Sequence, residues 1–488
     1  MAPSQKMTEY ERKRLENIKR NEEMLAAFKV HSHLSDLSAA TAAAKCPRVQ
    51  KKSFKLSPMK KPKNEAPTVL RRSLRTLGMP PDASTAGGLG HDFVESKIGN
   101  KHEQEDSLSK LLSEAVPITM KDAYQGVSTG SNEQLIENIK SLSRKPKLDE
   151  KGNQDPNFCD LEKMTRPSCS VDIDSLRLEP ENIARVVPGR ILSVKFFPTT
   201  EMRMVVVGSK FGNIGFWNAD AKVDGEGIYV YQPHSGPVSG IVIEPFTKSK
   251  MITSCYDGFI KLMDIEKELF DSIYSSDYPI YAICQSPGNM NSIYYTEGRG
   301  DLGIWDLRAG KSSSSWNLHG ERINSIDFNS ENTNNMATSS TDKTVCIWDM
   351  RNAGSKKLKP LRTIHHKKSV HSAYFSRSGR LLASTSFDDK IGLSSGANYE
   401  DVYMIHHDNQ TGRWISSFRG IWGWDDSYIF IGNMRRGLDV VSTGEKQILT
   451  TLRNKHMSAI QCRFDAHPYN VGMLAGATSG GQVYLWTS

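Results

Sequence analysis

Short apolar runs broken by Gly, Asp, Asn and Ser recur from about residue 186 to the C-terminus, the pattern of brief strands joined by tight turns. Upstream no strand pattern is sustained. Residues 7–28 instead place Leu15, Ile18, Leu25 and Phe28 on one side of an otherwise charged stretch, which predicts a one-sided helix suited to docking. All eight tryptophans lie from Trp217 onward. Large aromatics anchor packed cores, so the folded domain is expected at 186–488, and 1–185 reads as a largely disordered extension with 91–185 as linker.

The apolar runs repeat. Aligning FGNIGFWN, DGFIKLMD, GDLGIWDLR, DKTVCIWDMR, DDKIGLSS, RRGLDVVS and GGQVYLW puts Trp217, Met263, Trp305, Trp348, Ser394, Val441 and Trp486 in one column. The intervals are 46, 42, 43, 46, 47 and 45 residues, the period of a four-stranded WD-type blade. Seven blades predict an all-β fold, a closed propeller with no exposed sheet edge. Ile191–Phe196 is expected to start the first blade and Val483–Trp486 to end the last. His234, His319, His366 and His456 stand 28–30 residues before their column positions. They are placed to reach turn aspartates such as Asp257, Asp342 and Asp388 and to tie strands together.

Composition narrows the function. The chain of 488 residues carries 63 Lys plus Arg against 55 Asp plus Glu, and its mean hydropathy is −0.49. The excess is local: Lys45–Arg75 holds eleven basic residues against Glu65 alone, including the KKPK of Lys60–Lys63 that suits nuclear import. No apolar run reaches the length of a membrane span, and the charged first 30 residues exclude a secretory signal. Seven scattered cysteines without a CxxC pair point to free thiols in a reducing compartment, with no zinc finger. No cofactor motif stands in its proper context. Gly298, Gly300 and Gly303 match G-x-G-x-x-G, and Gly126–Gly130 matches G-x-S-x-G, but neither has the strand–helix setting its chemistry needs. Asn409-Gln410-Thr411 fits a glycosylation sequon that a chain without a secretory signal never presents to the transferase. A non-enzymatic binding protein is expected.

Two motif types carry resemblances. IWDLR (Trp305, Asp306, Arg308) and IWDMR (Trp348, Asp349, Arg351) resemble the W-D-x-R ending of receptors for the cullin-4 ubiquitin ligase, which implies arginines directed at the ligase adaptor. YERKRLENIKRNEEML, the RRSLR of Arg71–Arg75, HSGPVSGIVIEP at His234–Pro245 and HHDNQTGRW at His406–Trp414 together resemble the WD repeat-containing protein 76 family. Its fungal members are known as DNA damage-binding proteins. More distantly the propeller is similar to DNA damage-binding protein 2, in which a loop between the fifth and sixth blades probes a lesion.

HHDNQTGRW occupies that inter-blade place. His406, His407, Asn409, Gln410, Thr411, Gly412, Arg413 and Trp414 offer hydrogen bonds, one charge and one flat ring to nucleic acid. The relative has an aromatic at the centre of its probe; here the centre is Asn-Gln-Thr-Gly, so backbone or groove contact is expected rather than lesion insertion. Arg435 and Arg436 lie in the turn inside the sixth blade. Lys210, Arg299, Arg322, Lys343, Lys367, Lys368 and Lys390 occupy turns of other blades and are expected to form a positive collar. The reading is a nuclear protein that binds DNA, histones and other chromatin proteins in the DNA damage response or DNA metabolism. Its rivals are a substrate receptor that recruits the cullin-4 adaptor, and a histone or assembly scaffold. No membrane contact is expected.

Overall fold

In the computed structural model, residue 19 and residues 116–126, 132–144, 170–221, 227–244, 247–354, 358–412 and 414–488 are described. Of the segment 1–96, which forms a separate unit, only Lys19 is described, helical and exposed. The helix expected over 7–28 and the basic segment 45–75 therefore lie outside the described residues, as does Arg413.

The described residues of the unit Lys97–Ser488 form seven antiparallel sheets. Blade 1 comprises Ile191–Phe196, Met204–Ser209, Ile214–Asn218 and Ile228–Tyr231, and blade 4 comprises Ile323–Phe328, Asn335–Ser340, Thr344–Asp349 and Pro360–His365. The other five follow the same order. The first strand of each blade packs against the first strand of the next, around to Gln461–Ala466 against Ile191–Phe196, so the ring closes. Every residue of the aligned column falls in a third strand. Outside blade 3 the second and third strands are buried along nearly their whole length, which is why they carry small or apolar residues without alternation.

Antiparallel order fixes two faces. The turn between second and third strands, and the connection to the next blade, emerge at one end of the ring, here the upper face. First-to-second and third-to-fourth turns emerge at the lower face.

The N-terminal boundary differs from the expectation. Ile183–Arg185 pairs with Gln482–Trp486 as the fourth strand of blade 7, so the last sheet is closed by chain from before residue 186. Just ahead of it, Val171, Ile173, Leu176 and Leu178 pack among Trp424, Phe464, Tyr484 and Trp486. Further upstream, Ile118–Thr119 adds a fifth strand to blade 2. The helix Asn132–Arg144 buries Leu135, Ile136, Ile139 and Leu142 against the sheets of blades 1 and 2. Tyr231 donates to Asn132 Oδ1 at 2.9 Å, and Lys140 reaches Glu268 at 2.8 Å. These stretches escape a strand search because each is too short or too polar to stand out, and they bury their apolar residues only on a finished ring.

Candidate nucleic-acid interface

The upper face is built on seven tight corners. Each second-to-third turn needs a left-handed residue. Blades 1, 2, 3 and 7 supply Gly212, Gly258, Gly300 and Gly481, with φ of 86°, 89°, 84° and 84°. A Cβ at Gly212 would stand 2.0 Å from the carbonyl oxygen of His234, so nothing larger fits there. In blades 4, 5 and 6 the left-handed corner is occupied by Lys343, Asp389 and Arg436, at 74°, 61° and 63°. A non-glycine residue in this region costs on the order of 1 kcal/mol, and two of these three side chains are cations.

Histidines lock the corners. His234 lies 3.2 Å from Asp257 and 2.9 Å from Thr253. His319 lies 2.8 Å from Asp342 and 2.7 Å from Thr338, and His366 lies 3.2 Å from Asp388 and 2.9 Å from Ser384. Burial pushes the Asp257 and Asp342 carboxyls up, but the bonds from their histidines prevail and hold each at about 2. The buried thiol of Cys255 joins His234 and Asp257 in a group whose ligand atoms lie within 4.8 Å of one another. Both ring nitrogens of His234 are already engaged, and burial raises the thiol far above its usual range, so the group reads as the blade tie.

His456 does not take the expected role. It is half-buried, and its backbone N–H donates to Asn454 at 2.9 Å. The corner of blade 7, Ser479-Gly480-Gly481, holds no acid for its ring to meet.

HHDNQTGRW divides into a buried base and an exposed tip. His407 is 1% exposed, with Nε2 3.1 Å from Asp439 and Nδ1 2.7 Å from Asn409. Asn409, also 1% exposed, donates to the Lys390 carbonyl at 3.0 Å. These two, expected to face nucleic acid, instead serve the blade 5–6 junction. Buried polar groups must find partners inside, and theirs are found. Gln410 is exposed and donates to Asp389 at 2.5 Å. His406 and Gly412 are exposed and Thr411 is half-buried. Trp414 is 79% exposed, so it takes no part in the core.

The remaining expected cations all emerge on the same face. Lys210, Arg299, Lys343, Lys367, Lys368, Arg435 and Arg436 are exposed, while Arg322 and Lys390 are half-buried. Sequence reasoning missed the aromatics among them. Phe211, Tyr256 and Tyr278 occupy upper-face turns at 51%, 38% and 61% exposure. Lys210 sits over the Phe211 ring at 5.8 Å, and Arg322 over Tyr281 at 4.9 Å. The available signal was an aromatic directly beside a turn residue, as in Lys210-Phe211-Gly212 and Tyr256-Asp257-Gly258.

The W-D-x-R motifs lie at the opposite, lower face, after the third strands of blades 3 and 4. Trp348 is buried and Trp305 half-buried against Tyr274, so both tryptophans build the blades. Asp306 accepts the backbone N–H groups of Arg308 and Ala309 at 2.8 and 3.0 Å. Asp349 accepts from Arg351 Nη2 at 2.7 Å and from its Nε at 2.9 Å, folding that arginine back. Arg308 is exposed.

Comparison with known proteins agrees with this architecture. The WD domain, G-beta repeat family matches residues 310–349 and 358–393. The first match begins at the fourth strand of blade 3 and ends at the third strand of blade 4. The chain is 25% identical over 98% of its length to WD repeat-containing protein 76 of Xenopus laevis, covering 80% of that protein. It is 27% identical over 98% of both chains to DNA damage-binding protein cmr1 of Neurospora crassa. To DNA damage-binding protein CMR1 of Scheffersomyces stipitis it is 27% identical over 99% of both. The chain is thus a seven-bladed WD-repeat propeller, similar over nearly its whole length to WD repeat-containing protein 76 and to the fungal DNA damage-binding proteins.

Proposed function

We propose that the upper face grips DNA through its phosphate backbone, with exposed aromatics stacking on unpaired or accessible bases. The protein would act in the nucleus, on chromatin, in the DNA damage response or DNA metabolism, as a binding protein rather than an enzyme. The single observation that carries this is the gathering on one face of lysines and arginines from several blades beside Trp414, Phe211 and Tyr278. Interleaved cations and flat rings suit a polyanion carrying stackable bases. The names of the relatives support the same reading. The test is binding of the full chain to short duplex and single-stranded DNA across a salt series. A steep linear fall of log affinity with log salt is expected, and an affinity indifferent to salt overturns the proposal.

A second reading, recruitment of the cullin-4 adaptor, draws on the exposed position of Arg308 at the lower face, away from the cations. Arg308→Ala should abolish capture of the adaptor without lowering the melting temperature. Full recovery of adaptor with that variant removes this reading. Histones are proposed as partners only in the wider sense of chromatin bound through DNA.

A further inference from the structure

The inner ends of the blades carry a second positive cluster, which shares only Arg322 with the cations of the DNA reading. Asn324, in the first strand of blade 4, is its hub. Its side chain accepts from Arg322 Nε at 3.0 Å and donates to the Val370 carbonyl at 2.7 Å, and its own carbonyl accepts from Arg419 Nη2 at 2.9 Å. Arg419 enters from blade 6 and so reaches past blade 5, meeting the Tyr374 hydroxyl at 3.4 Å on the way. Arg463 arrives from blade 7. Its Nε donates to Leu192 of blade 1 at 2.9 Å, and its Nη1 donates to the carbonyl of Ser417, two residues before Arg419. His371 follows Val370 in blade 5. It is 7% exposed and edge-on to Phe387, and its Nε2 meets no partner.

Charges from blades 4, 6 and 7 thus converge about the axis of the ring. Among the described residues no carboxylate lies within ion-pair distance of Arg322, Arg419 or Arg463. Of the acids on these inner strands, Asp465 is taken by Lys195 at 2.8 Å, and the half-buried Asp327 accepts the Phe375 N–H at 2.7 Å. The crowding is felt: burial, and then Arg419, Arg463 and Arg322, hold the His371 imidazole down at about 3. Burial and Arg419 bring the Arg463 guanidinium down to about 10. Arg463 is buried and Arg322 and Arg419 are half-buried, and a cation withdrawn from water without counter-charge is costly unless something supplies it. Arg419 Nε is a further donor without a partner.

We propose that this axial cluster binds a phosphate-type oxyanion, held by Arg322, Arg419 and Arg463 with His371 donating from Nε2. The donors come from different blades and so approach from several sides. A tetrahedral oxyanion offers acceptors in all those directions, whereas a planar carboxylate presents them along one edge. The source is either free phosphate or the terminal phosphate of a nucleic-acid strand.

The experiment is calorimetric titration of the full chain with inorganic phosphate against chloride at matched ionic strength, alongside melting curves. Saturable binding and a phosphate-dependent rise in melting temperature are expected. Arg419→Gln and the half-exposed Arg322→Gln should each weaken binding about ten-fold or more, while Lys311→Gln, on the lower side of blade 3, leaves it unchanged. If Arg419→Gln does not fold, Arg322→Gln and the wild-type titration still decide. A 5′-phosphorylated oligonucleotide that binds better than its 5′-hydroxyl twin, and competes with phosphate, marks a strand end as the source; equal binding of the two marks the free ion. No saturable heat and no phosphate-dependent melting shift overturn the site. The DNA reading stands apart, since Arg435→Gln with Arg436→Gln should flatten the salt dependence of duplex binding and spare phosphate binding.

Discussion

His407 Nε2 lies 3.1 Å from Asp439 Oδ2, joining the exit of blade 5 to the third strand of blade 6. Asp439 also accepts from Asn433 and Thr451, each at 2.6 Å. The connection that displays Trp414 is therefore pinned at its base by a buried polar tie, while the Trp414 ring stays exposed.

His407→Ala should destabilise the propeller by about 1–3 kcal/mol, because it leaves Asp439 buried with one partner fewer. Denaturant melts check this. The salt slope of DNA binding should not change, and an altered slope with unchanged stability would return His407 to the interface.

Lys343→Gly with Arg436→Gly removes two upper-face cations at left-handed corners. Relief of backbone strain should leave stability unchanged or raise it by up to about 1 kcal/mol. If both side chains touch phosphate, the log-log salt slope should drop by about two. Salt titrations paired with melts separate the two effects.

Trp414→Ala should leave the melting temperature where it is, since the ring is 79% exposed. Stacking on a base predicts a loss of about 1–3 kcal/mol in binding single-stranded DNA, with little change in slope. Unaltered affinity would restrict the interface to charge.

The contribution of His371 to stability should fall on acidification, against an opposite contribution from Asp327, whose carboxyl is pushed up to about 7 by burial. The His371 imidazole titrates near 3 in the fold and near 6.5 unfolded. Between those values the unfolded chain holds a proton at His371 that the fold does not, so the His371 contribution is complete above about pH 6.5 and declines towards pH 3. Asp327, protonated in the fold up to about 7, contributes with the opposite sign. Burial lowers His366 and His467 in the same direction. His371→Gln should make the decline shallower, by at most about 1.4 kcal/mol per pH unit. Equilibrium melts across this range decide it; identical profiles for the two proteins would contradict the assignment.

A fragment starting at residue 186 should melt well below one starting at 116. It lacks the Ile183–Arg185 strand and the buried Val171, Ile173, Leu176 and Leu178. Equal melting temperatures would make those contacts dispensable.

What the amino-acid sequence determined by itself is the repeat. Seven repeats at near-constant spacing, and histidines at fixed distance from a turn acid, are local regularities: each blade but the last satisfies its hydrogen bonds within one contiguous stretch, so its pattern survives in one dimension. Tertiary structure decided what depends on partners far along the chain. His456 keeps the spacing but meets a corner without an acid, whereas His407 stands 34 residues before Val441, outside the spacing, and finds Asp439. Val171–Leu178 looks like linker until blades 6 and 7 offer an apolar surface to cover. Arg419 and Asn324 are 95 residues apart and meet only because the ring brings blade 6 across blade 5 to blade 4. Closure is a long-range event, and whatever gathers at the axis or on a face is set by it.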